Sequence, residues 1–134
     1  MPGPNDPITT LLGGTGQETG VTVEIRHPDP TAAVCALAGE LDIESLAPAV
    51  RALDRLVAQC PRVLVVDLAG VGFCDSSGLN LLLKVRMAAV AAGTDFRLAA
   101  PSPTVTRLLE LTGADTVFSL HPTVRAALAA TAPC

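Results

Sequence analysis

Val63-Leu64-Val65-Val66-Asp67-Leu68, followed after a short connection (Ala69 to Cys74) by Asp75-Ser76-Ser77-Gly78-Leu79-Asn80, is the stretch that decides the fold of this chain. The first run is apolar and rich in β-branched residues, which reads as a buried strand. The second opens a run with Leu79, Leu82, Leu83, Met87 and Val90 at helical spacing. Two serines therefore stand where a helix begins. Free backbone N–H groups and the positive end of the helix dipole face outward there. Such a position holds a phosphate, and a serine hydroxyl on it is a place to attach one.

Upstream of this stretch, Val21 to Arg26 alternates apolar and polar residues as a half-buried strand does. His27-Pro28-Asp29-Pro30 reads as a turn and Thr31 to Ala38 as a second strand, so the pair is a predicted hairpin. Gly39-Glu40-Leu41-Asp42 ends that strand. Leu46, Val50, Leu53 and Val57 then recur at helical spacing, predicting a helix over Glu44 to Gln59 with Pro48 in its first turn. Pro61 stops it, and Arg62 to Leu68 is the buried strand, a parallel neighbour of the second one through a right-handed crossover. Downstream, the helix that starts at Ser76 or Ser77 runs to about Ala92 before Gly93. Phe96 to Ala99 is a short strand. Pro101-Ser102-Pro103 begins a third helix that ends at Gly113, Thr116 to Leu120 is a last strand, and Pro122 to Ala130 a last helix. The expected fold is one α/β domain with a mixed, mostly parallel sheet of four to five strands and about four helices. Residues 1–20, rich in Pro, Gly and Thr, read as a flexible tail, 21–130 as the domain, and 131–134 as a C-terminal tail. Leu46, Val50 and Leu53, Leu82, Leu83 and Met87, and Val105, Leu108 and Leu109 are the expected core faces of the first three helices.

Composition bounds the function. At 134 residues and 49% hydrophobic, the chain has enough apolar material for one core. Aromatics are 2%, with no Trp or Tyr, so the core is aliphatic and base-stacking surfaces are not expected. Nine scattered cations (one Lys, eight Arg) and a net charge of −4 leave no basic stripe for direct nucleic-acid binding. Asp67, Asp75, Lys84 and Arg86 interrupt every apolar stretch short of the roughly 18 residues a membrane-spanning helix needs. The first residues lack the features of a secretory signal, so a cytoplasmic protein without membrane insertion is expected. Cys35, Cys60, Cys74 and Cys134 show no C-x-x-C spacing; reduced thiols are expected, and no metal site. Cys74, beside the serines, is either redox-sensitive or a small buried hydrophobe.

Three chemistries compete at the serine stretch, and one further reading concerns Asp67. In the first, Asp75 is only an N-cap, the serines tolerate the first turn and Gly78 permits close packing. A nucleophilic serine would want G-x-S-x-G, and Cys74 stands where the first glycine belongs. It would also want an imidazole base, and nothing in the sequence brings His27 or His121 to Ser76. A phosphoacceptor aspartate at Asp67 would make the domain a response-regulator receiver. The acidic pair after the first strand and the late lysine that receivers carry are both missing. The last is a phosphoacceptor serine recognised by another protein. No phosphate-cradling G-x-x-x-x-G-K-[ST] run or kinase signature occurs, so no catalytic residue or cofactor is expected; nucleotide and magnesium would belong to a partner.

The Gly39-Glu40-Leu41-Asp42 segment, the strand Val63 to Leu68, the block Phe73 to Leu79, and the helix Ala100 to Gly113 with its P-x-V-x-R-L-L-x-L-x-G pattern resemble, in order and spacing, the bacterial anti-sigma factor antagonists of the STAS domain family. The resemblance spans Val21 to Ala130. It implies a partner-switching regulator of transcription, of the kind used in stress response and sporulation. In that family the first serine after the aspartate is phosphorylated by an anti-sigma factor that is itself a serine kinase. The unmodified antagonist captures that kinase and frees a sigma factor, and a serine phosphatase reverses the modification. Carried onto this chain, the resemblance makes Ser76 the phosphoacceptor with Ser77 its neighbour. It puts Asp42, Asp75, Ser76, Ser77, Gly78, Leu79 and Asn80 on the partner-binding face. Asn80 stands where the family commonly has glycine. The same family also holds scaffold and transporter-associated interaction modules with no sigma-factor role, which is the alternative.

Overall fold

A computed structural model describes residues 20–130. Of the expected tails at 1–20 and 131–134, residues 1–19 and 131–134, Cys134 among them, lie outside the described residues. The elements in order are β1 (Val21–Asp29), β2 (Ala32–Leu41), α1 (Ala47–Ala58), β3 (Val63–Cys74), α2 (Ser76–Ala91), β4 (Asp95–Ala99), α3 (Pro103–Thr112), a 3₁₀ turn (Ala114–Thr116), β5 (Ser119–His121) and α4 (Val124–Ala129). The five strands lie in sequence order in one sheet. β1 and β2 are antiparallel, and the β2–β3, β3–β4 and β4–β5 pairs are parallel. This is the mixed, mostly parallel α/β architecture expected from the sequence.

Strand β3 shows why its sequence is apolar without alternation. Leu64, Val66 and Leu68 enter a large core with Leu53 and Leu56 of α1, Leu82 and Val85 of α2, and Val105 and Leu109 of α3. Val63 and Val65 point the other way, into a smaller cluster with Val34, Ala99 and Ala127 of α4. Three helices thus cover one face of the sheet and α4 part of the other, so a central parallel strand is buried on both sides. Burying one such leucine is worth about 1.5–3 kcal/mol.

Several expected boundaries move, each for a local reason. The connection expected at Ala69 to Cys74 is strand: β3 continues to Cys74, paired with Ala38, Gly39, Glu40 and Leu41 of a longer β2. Gly70, which reads as a loop glycine, is there because the strands approach closely; an added Cβ would meet that of Ala38 at 2.7 Å. Asp67 therefore lies inside a strand, its carboxylate accepting the Ala69 N–H at 3.0 Å. Helix α1 starts at Ala47 rather than Glu44. Pro48 has no N–H for a bond to Glu44 and its ring clashes with that carbonyl, so helix cannot extend further back. His27 and Pro28 belong to β1, whose register shifts between Arg26 and Asp29. The turn comes later, where Asp29 accepts both the N–H and the hydroxyl of Thr31 at 2.7 Å. The last strand begins at Ser119, not Thr116. The apolar residues before it serve a turn, in which Val117 and Phe118 bond back to the Ala114 carbonyl and Phe118 packs on Phe96.

The faces of α2 also need correction. Gly78, Leu79, Leu81, Leu82, Val85 and Ala89 are buried, whereas Met87 is 69% exposed and Val90 60%. Leu83 is only partly buried. The helix is apolar nearly all round, so its sequence holds no period that selects the core face. The other expected core faces hold: Leu53, Val105 and Leu109 are buried, and Leu46, Val50 and Leu108 pack against the core from its edge.

Candidate functional site

The carboxyl ends of β2 and β3 are neighbours, because Leu41 pairs with Cys74 in parallel register. Each strand delivers an aspartate just beyond that pair, Asp42 and Asp75. The Asp75 N–H donates to the Leu41 carbonyl at 3.2 Å and stitches the two ends together. Ligands of open α/β sheets bind outside such strand ends.

Asp75 is the N-cap of α2. It has extended backbone, and its carboxylate accepts the N–H groups of Ser77 at 2.9 Å and Gly78 at 3.3 Å. A carboxylate here satisfies two orphan donors and suits the dipole. Asp42 behaves in parallel fashion in the next turn: its carboxylate accepts the Glu44 N–H at 3.1 Å and its carbonyl the Ser45 N–H at 3.0 Å. Both aspartates are half-buried and already engaged with backbone, so each holds its own turn in shape while lending the surface negative charge.

Ser76, the first residue of α2, is exposed, and Ser77 is half-buried. Gly78 and Leu79 are buried and Asn80 is exposed. Of the seven expected site residues, Gly78 is the packing hinge, lying against Leu41 and Cys74. Leu79 anchors the first turn in the core while its edge lines a shallow hollow of about 300 Å³ with Ser76, Ser77, Asn80 and Leu83. On the other flank a groove of about 370 Å³ runs between α1 and α2, lined by Ile43, Leu46, Val50, Asp54, Lys84 and neighbouring residues. Asn80 and Ser77 border both hollows. Asn80 thus faces outward and does not perturb the core.

Three residues beside the site escaped the sequence reading. Ile43 is 76% exposed, Phe73 46% exposed, and Lys84 lines the groove. Ile43 directly follows Asp42 and Phe73 precedes Cys74, so apolar residues hugging the two turn aspartates were the available signal.

The chemistry of the surroundings is that of a surface hydroxyl. Burial, with the Asp75 carboxylate beside it, pushes the Cys74 thiol up to about 11, and burial alone does the same to Cys35. Cys74 is therefore a neutral packing group, as the second of its two readings had it. His27 sits near the far end of β1, opposite the serines, and His121 ends β5, its ring 2.8 Å from the Ser119 hydroxyl. Neither imidazole is delivered to Ser76, so no serine–histidine pair is assembled. Among the described residues no cluster of His, Cys, Asp or Glu is arranged to hold a metal, and no helix is long and apolar enough to cross a membrane.

With this geometry in place, the profile of the STAS domain matches residues 22–127. The chain belongs to the STAS domain family. It is similar to the anti-sigma-F factor antagonist RsfB of Mycobacterium tuberculosis, 32% identical over 96 residues that cover 72% of this chain and 78% of the relative. Its fold is similar to that of an anti-sigma factor antagonist from Mycobacterium paratuberculosis, at 34% identity and a TM-score of 0.73, covering 81% of this chain and 92% of that one. The antagonist SpoIIAA shares the STAS fold in its unphosphorylated form (22% identity, TM-score 0.68, 80% and 93% covered). The Bacillus protein in its phosphorylated form does so as well (21%, 0.64, 80% and 96%). STAS proteins of the antagonist group are regulatory binding proteins rather than enzymes, in keeping with the expectation from the sequence.

Proposed function

We propose that this STAS protein is an anti-sigma factor antagonist of the cytoplasm. Its unphosphorylated form binds an anti-sigma factor that is a serine kinase, and so releases a sigma factor. Phosphorylation of Ser76 ends that binding, and a serine phosphatase restores it. The observation that carries this reading is the exposed Ser76 at the start of α2, directly after its Asp75 cap and at the paired carboxyl ends of two adjacent parallel strands.

The switch follows from charge. A phosphoryl ester adds about −1.5 to −2 charges and three acceptor oxygens. Two of the N–H groups of the first helical turn, those of Ser77 and Gly78, already serve the Asp75 carboxylate. The ester therefore stays at the surface, beside an existing anion. A partner surface fitted to a neutral hydroxyl would have to bury that dianion unpaired, which costs several kcal/mol. Each ~1.4 kcal/mol is tenfold in affinity, so a hundredfold loss or more is expected.

The test uses Ser76→Ala as bait in an extract of the native cell, followed by purification of the captured kinase. That kinase with ATP should label the wild-type chain on Ser76. Ser76→Ala should still bind it, and Ser76→Asp should bind at least tenfold more weakly. Phosphate found only on Ser77 or on threonines, or a Ser76→Asp protein that binds as tightly as wild type, would overturn the assignment.

A further inference from the structure

We infer that the docking surface runs the length of α2 and is built for a partner with an apolar centre and an acidic rim. At 3.6 residues per turn, Ser76, Asn80, Leu83, Met87 and Val90 share one face of the helix, a ridge about 21 Å long. Its far half is apolar and open to solvent: Met87 is 69% exposed, Val90 60%, and Leu83 partly so. Single exposed hydrophobics are common on protein surfaces. Here three lie in line with the serine, on the side of α2 away from buried Leu81, Leu82, Val85 and Ala89.

Charge on the same helix points to the chemistry of the occupant. Lys84 lies about 80° to one side of the ridge and Arg86 about 80° to the other. From Ser76 to Ala91 there is no carboxylate, although the chain as a whole carries a net charge of −4. Neither cation takes part in an ion pair among the described residues. Asp54 of α1 lines the neighbouring groove with Lys84 and is the one acid there. An apolar strip flanked by cations complements an apolar strip flanked by carboxylates. A kinase that presents such a surface would sit along the helix with its reactive phosphoryl group at the Ser76 end. The ester would then repel it from one end, while Met87 and Val90 hold the other.

This inference rests on the proposed phosphoacceptor role of Ser76, and the experiment separates the two. The probe is the purified kinase that phosphorylates Ser76, titrated calorimetrically against the unphosphorylated chain. Met87→Glu with Val90→Glu should weaken binding at least tenfold, and Met87→Ser with Val90→Ser should reproduce most of that loss without added charge. Lys84→Glu with Arg86→Glu should weaken binding and flatten its dependence on salt. Leu111→Glu on α3, a residue 73% exposed, should bind as wild type does. All variants should keep the wild-type circular dichroism and melting temperature, because the altered positions are exposed or half-exposed. Wild-type affinity in both Met87/Val90 variants would overturn the ridge while leaving Ser76 in place. A wild-type dimer in sedimentation that these variants dissociate would assign the ridge to a second copy instead. Absence of any kinase that binds and labels the chain would overturn the functional reading and the ridge together.

Discussion

A methyl group on Gly78 would meet Leu41 Cβ and the Leu41 carbonyl oxygen at 2.7 Å, and Cys74 Sγ at 2.8 Å. In an open helix, alanine in place of glycine gains up to about 1 kcal/mol. Here it forces apart the strand end and the serine turn, at about 1–3 kcal/mol. Gly78→Ala should therefore lower stability by roughly 1–3 kcal/mol in urea unfolding; a more stable variant would show that β2 and α2 are not in this contact. Asp75→Ala removes the cap and should cost about 1 kcal/mol, with Asp75→Asn recovering most of it. The buried thiols add a pH signature. Cys35 and Cys74 are both pushed from 9.0 to about 11 in the fold. Folding favours their neutral form, so the stability tied to them is complete below about pH 9 and is lost as pH rises toward 11. Unfolding free energy should fall across that window, and Cys35→Ala with Cys74→Ala should flatten the fall. Exposed Cys60 should react with a thiol reagent well before either of them.

Helix α4 is short, six residues, and would not persist unaided. Beyond the packing of Ala127, it is held by a buried cation. Arg97 of β4 donates to the carbonyls of Ala127 and, at 2.8 Å, Ala130, and pairs with Asp95 at 2.7 Å. Its side chain is 3% exposed. Those carbonyls are acceptors of the helix end, and the guanidinium satisfies them, the Ala127 carbonyl within the buried interior. Arg97→Met fills similar volume but leaves the acceptors and Asp95 without their donor; the expected loss is about 2–4 kcal/mol. Hydrogen exchange should show protection lost over Val124–Ala129 first, with α2 little affected. Equal loss in both helices would mean that α4 is part of the main cooperative unit. The opposite arrangement holds at α3, where Ser102 both caps the helix by accepting the Val105 N–H and donates to the Val71 carbonyl at 2.6 Å, tying that helix to β3.

For the molecule as a whole, phosphorylation would take the net charge from −4 to about −5.5 to −6. Because the ester lies outside both clusters of buried residues, the fold should tolerate it: far-UV circular dichroism of the two forms should coincide, whereas their affinity for the kinase should differ a hundredfold. A large loss of helix on phosphorylation would contradict a surface switch. The order of elements was legible from Pro61, Gly93, Ser102 and Gly113, and the serine turn from the change from strand to helical pattern on either side of Ala69 to Cys74. Local chemistry sufficed there, since a proline, a cap or a left-handed glycine acts within a few residues. The end of β3 was not legible, because Gly70 and Gly72 look like a loop until Ala38 is known to lie alongside. The core face of α2 was hidden for a related reason, as a helix with apolar residues on every side, Met87 and Val90 included, does not reveal which side meets a sheet. By itself the sequence determined an α/β domain with a capped serine opening its second helix. Only the tertiary structure set Asp42 beside Asp75 and turned Met87 and Val90 outward. Both depend on Leu41 meeting Cys74 and on the sheet covering Leu82 and Val85, contacts between distant residues that no local propensity encodes.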